Sequence, residues 1–415
     1  MRASRAWLAC LLLLPLAACQ ADGSGQDGSP DLPERSAPAG MDQTLRDAAL
    51  ALVDEREQAL VDGDRDAFLT TVDPQAEDFA ETQARWWDNV AQLPATDFSL
   101  ELGDESVMTR VHGEGDLQLP VNFTMRLDGY DARPVTQPLI YTFVGDDDGV
   151  RLADDRNIQS DALTGWVPAP WDVTAVTVEE SEGVLAVFDD ETRDDADDLQ
   201  ADIVAARDDI EPLLPAWSGR VVAYDISDLD AIDRMSVVEV DDTAGIAFPV
   251  LRRPGVDQVA AYRFAVNPAH TGSGFERDLL FRHELAHVAL GDRDDWSPAW
   301  LVEGTAEYVA RAATYDVAQR KVEAMGRLEG RPGLQLRMGQ DFYTRGETWL
   351  NYELAALVCD YLASTRGPEA VWSLMDAFDG RQFASLAEAE AFVRRQLGLT
   401  PAQLRTAALA WARTA

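Results

Sequence analysis

Lysine is almost absent from this 415-residue chain. Lys321 is the only one, so nearly all of the 35 basic side chains are arginine. Against them stand 74 Asp and Glu, for a formal net charge of −39. A field of that sign repels phosphate backbones and anionic membrane surfaces, which argues against a nucleic-acid partner. Histidine is scarce as well, with His112, His270, His283 and His287 making up the whole set. The three cysteines, Cys10, Cys19 and Cys359, are too few and too scattered for a disulfide framework. Long apolar runs are missing except for Trp7 to Ala18, about a dozen residues, too short to span a bilayer as a helix.

That run follows Arg2 and Arg5 and has the form of a secretory signal. It ends in Leu16-Ala17-Ala18-Cys19, which resembles the bacterial lipobox. The resemblance implies cleavage after residue 18, acylation of Cys19, and a place on the outer face of the cell membrane held by lipid alone. Cys10 then leaves with the signal, and Cys359, in an apolar segment, reads as a small core residue. Residues 19–41 are rich in Gly, Ser, Asp and Pro and cannot bury enough surface to offset the entropy of ordering, so they read as a flexible tether.

At this length two or three domains are expected. From residue 42, apolar residues recur at helical spacing through Leu45, Leu52, Val53 and Leu60; Asp62-Gly63-Asp64 breaks the pattern, and helices follow around Phe68 and from Phe79 to Leu93. The period then changes to two. Phe98 to Leu102, Ser106 to His112, Gln118 to Leu127 and Pro138 to Val144 read as strands. This order of elements, with the phrase Ala59 to Phe68, resembles the SnoaL-like or nuclear-transport-factor-like α+β cone, in which a curved antiparallel sheet wraps around helices. Residues 42–160 are assigned to it as a binding or spacing module. His112 is the sole histidine there and fits a surface or strand-end role. Residues 161–172, around Trp166, Pro168 and Pro170, read as a linker.

The chemistry of the chain concentrates in residues 173–415. Phe281-Arg282-His283-Glu284-Leu285-Ala286-His287 places two histidines four residues apart in an apolar run, on one face of a helix. Two imidazoles so placed can bind one Zn²⁺, and the Glu between them can act as a general base without binding the metal. Trp300-Leu301-Val302-Glu303-Gly304-Thr305-Ala306-Glu307 puts a carboxylate, Glu303, on a second apolar segment as the third metal ligand. Three protein ligands are the complement of a catalytic zinc, which keeps a fourth position for water. Two His and one Glu favour zinc over other divalent metals.

Together these phrases resemble the gluzincin metallopeptidases, the thermolysin and aminopeptidase N kind. The resemblance implies zinc-dependent hydrolysis of peptide bonds in an α+β domain with a small sheet and a mainly helical end. It implies Glu284 as the general base and Glu307 as the carboxylate that holds the His283 ring. It also implies a tyrosine that stabilises the oxyanion, for which Tyr352 is the candidate and Tyr343 the runner-up. Two departures stand: fifteen residues separate His287 from Glu303, fewer than in the large aminopeptidases, and no G-x-M-E-N motif is present.

Before the histidine helix, Val173 to Val178, Val184 to Phe188, Arg220 to Ile226, Gly245 to Leu251 and Tyr262 to Asn267 read as strands, with a helix from Leu199 to Leu214. One edge of that sheet could pair with an extended peptide. His270, in the loop Asn267 to Gly274, reads as solvated. After Glu307 the chain reads as helical to its end. The partner implied is a peptide or protein substrate. The rival is a surface lipoprotein that binds a ligand through its front domain and keeps a structural or residual zinc. Hydrolysis of another amide or of a cell-wall peptide would use the same site.

Overall fold

The computed structural model describes residues 43–414, apart from 106–109, 113–115, 147–148, 157, 215–216, 229–231, 233, 235–242, 273 and 332. Cys19, the signal and the tether lie outside the described residues, as does much of the expected strand from Ser106. The fold is α+β, and the chain divides into two units. One runs to Asp172 and takes in Leu251–Gln258; the other comprises Val173–Val250 and Val259–Ala415.

The amino-terminal unit begins with three helices, α1 (Gln43–Asp62), α2 (Arg65–Thr70) and α3 (Glu77–Val90). The break between the first two is made by Gly63 at φ 67 and by Asp64, whose carboxylate caps α2 at Ala67 N, 3.0 Å. Five strands follow: β1 (Ala95–Leu102), β2 (Arg110–His112), β3 (Asp116–Leu127), β4 (Val135–Asp146) and β5 (Gly149–Asp154). They form one antiparallel sheet in the order β1-β3-β4-β5, with β2 also paired to β3. The two outermost strands, β1 and β5, both pack on α1, so the sheet curls around that helix. A register shift in β1 places Asp97 at φ 58, a conformation that Asp tolerates, and its carboxylate pairs with Arg126 at 2.8 Å. Strand β5 goes beyond the sequence reading, which placed no strand there. Two short helices, α4 (Ile158–Thr164) and α5 (Pro170–Val173), occupy much of the stretch read as a linker; Asn89 donates to the Trp171 carbonyl at 2.9 Å and helps hold it.

In the second unit the sheet runs β6 (Val176–Ser181), β7 (Val184–Asp189), β8 (Val221–Asp225), β10 (Val259–Val266), β9 (Gly245–Leu251). Strands β6 and β7 make a hairpin, whereas β7, β8 and β10 are parallel neighbours. Parallel strands are covered on both faces, and β7 and β8 are buried along their whole length, which is why they read as unbroken apolar runs. Helix α6 (Ala196–Ile210) connects them and packs on α7 (Phe275–Leu290), the histidine helix. The latter lies on β10 through the Phe264 and Phe281 rings, edge to face with centroids 5.6 Å apart. Its end is set by Gly291 at φ 54, where the Tyr262 ring would meet a Cβ at 3.2 Å.

The rest is helical, as expected: α8 (Arg293–Trp296), α9 (Ala299–Ala312), α10 (Val317–Leu328), α11 (Asp341–Thr344), α12 (Thr348–Arg366), α13 (Glu369–Phe378), α14 (Leu386–Leu397) and α15 (Pro401–Ala412). The closest approach matters most for the site. A Cβ on Gly304 of α9 would meet the Ala355 carbonyl carbon and oxygen of α12 at 2.7 Å, so only glycine lets these two helices touch backbone to backbone. Cys359, also on α12, is buried, and burial pushes its thiol up to about 12, the state of a core residue rather than a nucleophile. Lys321 lies 4.3 Å above the Trp411 ring and ties α10 to α15. None of the described helices is long and apolar enough to cross a membrane.

One buried group works against the fold. Asp225 ends β8 with Oδ1 lacking a hydrogen-bond partner among the described residues; burial, then the nearby Asp189 and Asp195, raise it to about 7 against the pull of Arg277. A carboxyl that binds its proton more tightly folded than unfolded contributes stability when protonated and loses it as pH rises from about 4 to about 7. Asp225→Asn should therefore raise the thermal unfolding midpoint at pH 8, with the gain shrinking toward pH 4; a gain independent of pH would contradict the assignment.

Candidate metal centre

From Leu280 to Leu290 helix α7 is buried on nearly every side, so the polar residues of that stretch are carried into the interior rather than onto a wet face. His283, Glu284 and His287 are 1%, 0% and 7% exposed. Glu303 and Glu307, one turn apart on α9, are buried opposite them at 1% and 7%. Five ionisable side chains so deep must be matched with one another or with a bound ion.

His287 Nδ1 lies 2.8 Å from Asp294 Oδ2, and His283 Nδ1 lies 3.4 Å from Glu307 Oε1. The first contact is a hydrogen bond and the second an ion-pair contact; a carboxylate beside Nδ1 favours the tautomer with its hydrogen there, which leaves Nε2 of the neutral ring as a lone pair. The two Nε2 atoms are 3.1 Å apart, and Glu303 Oε2 is 3.4 Å from one and 3.5 Å from the other. With both rings neutral, three electron pairs thus point into one space, and among the described residues Glu303 Oε2 has no hydrogen-bond donor. Only positive charge relieves such an arrangement. Among the described residues this is the one group of His, Cys, Asp or Glu with ligand atoms gathered closely enough for a metal ion.

Zinc fits the dimensions. Bonds of about 2.0–2.1 Å at tetrahedral angles separate donor atoms by about 3.3–3.4 Å, close to the triangle present. Two imidazoles and a carboxylate are also a donor set that zinc takes when one position is left for another ligand. Without a metal, protons meet the same demand. Burial opposes the charged rings, but Glu303 and Glu307 outweigh it and raise His283 to about 9, while Asp294 and Glu303 take His287 well above its ordinary value. Glu303, despite burial, is held at about 2 by the two histidines, and Glu307 at about 2, chiefly by Arg311. A metal entering this site displaces those protons.

Glu284 sits on the same helix but does not join the triangle. Its Oε2 accepts the Ala247 N–H at 3.0 Å, a bond from β9. Of the three strands that lead into the histidine helix, β9 is the one at the sheet edge, and its backbone meets Glu284. Tyr352, on α12, has its ring 6.2 Å from the His283 ring and 5.0 Å from Phe342. Tyr343 lies on α11, and its hydroxyl donates to Glu303 Oε1 at 2.8 Å. Asn351 fixes that short helix by donating to the carbonyls of Phe342 and Arg345, at 2.6 Å and 3.1 Å. His270 is exposed and takes no part in the cluster; the His112 side chain lies outside what is described.

Two contributors were not legible in the sequence. Asp294 is one of three acids in Asp292-Arg293-Asp294-Asp295, and nothing in the spacing tells which turns inward. Its signal is only that an acid must follow within a short connection if His287 is to be oriented. Glu353 pairs with Arg311 behind the site, a contact between two helices that no local spacing marks.

No protein-family model matches the chain, and no curated protein does. Ten solved chains resemble it in structure. One is an M1 zinc metallopeptidase mutant from Deinococcus radiodurans, crystallised with a Tyr-Ser-Ala substrate. It shares 12% sequence identity at a TM-score of 0.32, over 72% of this chain and 90% of that one.

Asp294→Ala removes the acceptor of the His287 Nδ1–H. Zinc affinity, measured by competition with a chelator, should fall by about 10–100-fold. An unchanged affinity would mean that the ring is oriented by something else.

Proposed function

We propose that this chain is a zinc-dependent hydrolase of peptide bonds of the gluzincin kind. The observation that carries the reading is the convergence of the His283, His287 and Glu303 lone pairs, with the Glu284 carboxylate beside them on the same helix. A site built only to hold a structural ion has no use for a fourth buried acid that stays out of the ligand set, and this favours catalysis over the structural alternative.

His283, His287 and Glu303 would hold the ion, with Asp294 and Glu307 fixing the rings. Bound there, zinc supplies a Lewis acid for the substrate carbonyl and lowers the pKa of water from about 16 toward about 7. Glu284 takes the proton from the attacking water and passes it to the leaving amine, and the Ala247 N–H orients its carboxylate for both transfers. An extended peptide adding to the β9 edge brings its scissile amide to Glu284. Tyr352 donates to the oxyanion. Tyr343 is already committed to Glu303 Oε1, where it fixes the carboxylate so that Oε2 faces the imidazoles.

The sequence supports a setting for this chemistry. Acylated Cys19 would anchor the chain to the outer face of the membrane, residues 19–41 would act as a tether, and the amino-terminal unit, which is similar in element order to SnoaL-like cones, would serve as a binding or spacing module.

The test uses the chain from Gln20 onward against a peptide library. Glu284→Gln should keep its zinc and lose turnover by about 10²–10⁴-fold. Zinc in both forms and equal activity would refute the general-base role. Tyr352→Phe should cost about 10²–10³-fold in kcat with the fold intact; a parental rate would return Tyr352 to a packing role.

A further inference from the structure

Behind the ligand helix lies a buried ion network of which the proposed chemistry uses only Glu307. Arg311 is on α9, one turn after Glu307 and two after Glu303. Its Nη2 is 2.7 Å from Glu307 Oε2 and 2.8 Å from Glu353 Oε1, and its Nη1 is 2.8 Å from Glu353 Oε2. The side chains of Arg311, Glu307 and Glu353 are 12%, 9% and 5% exposed. Arg327, from α10, caps Glu353 from the solvent side and is half-exposed.

The geometry of the fork limits what can replace it. Both terminal nitrogens donate to Glu353 in a bidentate grip, and the same guanidinium forms an ion pair with Glu307 Oε2. Glu307 is thereby held at both ends: Oε2 by Arg311 and Oε1 toward His283 Nδ1. Without the guanidinium, Glu307 is free to rotate about its last torsion and the His283 ring loses its fixed partner. The same fork binds α9 to α12 one residue from Tyr352 and two from Ala355, where Gly304 brings the backbones together.

The geometry points to Arg311 as a positioning residue for the metal centre: it fixes Glu307, and through it the first histidine ligand, by bracing both against Glu353 of α12. The inference rests on the zinc reading of the site. It concerns orientation by a planar five-donor group, so charge alone does not substitute for it.

The test is zinc binding to the full chain after metal removal, by competition with a chelator, in the parent, Arg311→Lys and Glu353→Gln. A second readout is the visible absorption of the cobalt-loaded forms, which reports ligand geometry. Arg311→Lys keeps the charge and loses the fork, and should bind zinc about 10–100-fold more weakly with an altered cobalt spectrum. Glu353→Gln, which keeps the shape and weakens the brace from the far side, should move both readouts in the same direction by less, and it decides the matter if Arg311→Lys does not fold. A lowered unfolding midpoint with parental zinc affinity and spectrum in the folded variants would make the network merely structural and overturn the proposal. A parent that binds no zinc would overturn the metal reading itself, and the proposal with it.

Discussion

Three buried ligand atoms held 3.1–3.5 Å apart, whose lone pairs converge on one space, are the constraint around which the second unit is arranged. Left alone they repel, and burial removes the water that would screen them. The contact survives because each ligand is pulled from behind. Asp294 holds His287, Glu307 holds His283, and the Tyr343 hydroxyl holds Glu303 by its other oxygen. The cluster is strained toward taking up a cation, whether protons or a metal, and folding sets that state before any ligand arrives.

Holding the triangle places demands on distant parts of the chain. The two ligand helices must lie at fixed depth and rotation, which Phe264 against Phe281 secures for the first and Gly304 against Ala355 for the second. Any side chain at Gly304 would push α9 off α12 and carry Glu303 and Glu307 away from the histidines; glycine in a helix interior costs about 1 kcal/mol in propensity, and here it is tolerated for close approach. The buried sheet supplies the floor. Its parallel strands β7, β8 and β10 are largely buried, while the edge strand β9 turns a backbone N–H toward Glu284.

Much of this was legible in the sequence because its signals are local. The i, i+4 histidines, the apolar run around them and the strand Gly245–Leu251 are all set by periodicity over a few residues, and the structure has these elements where the pattern puts them. Strand β5 was not legible: Gly149 to Asp154 offers only Val150 and Leu152 as alternating apolar residues, too short a pattern to stand out, and its pairing with β4 is what makes it a strand. Asp294 and the Arg311 to Glu353 contact were hidden for a different reason. In a chain with 74 acidic residues, which carboxylate turns inward is a tertiary fact, decided by helix packing rather than by spacing.

The acidic excess also bears on chemistry. Asp292, Asp294 and Asp295 crowd the end of the histidine helix, where Tyr262 donates to Asp292 at 2.8 Å, so the local field favours a bound cation and protonated histidines alike. The two compete for the same lone pairs. The most direct test of the account is X-ray absorption at the zinc edge on the zinc-loaded chain. The account predicts four nitrogen or oxygen ligands at about 2.0–2.1 Å, two of them imidazole. Six ligands, a sulfur ligand, or an imidazole count other than two would contradict it.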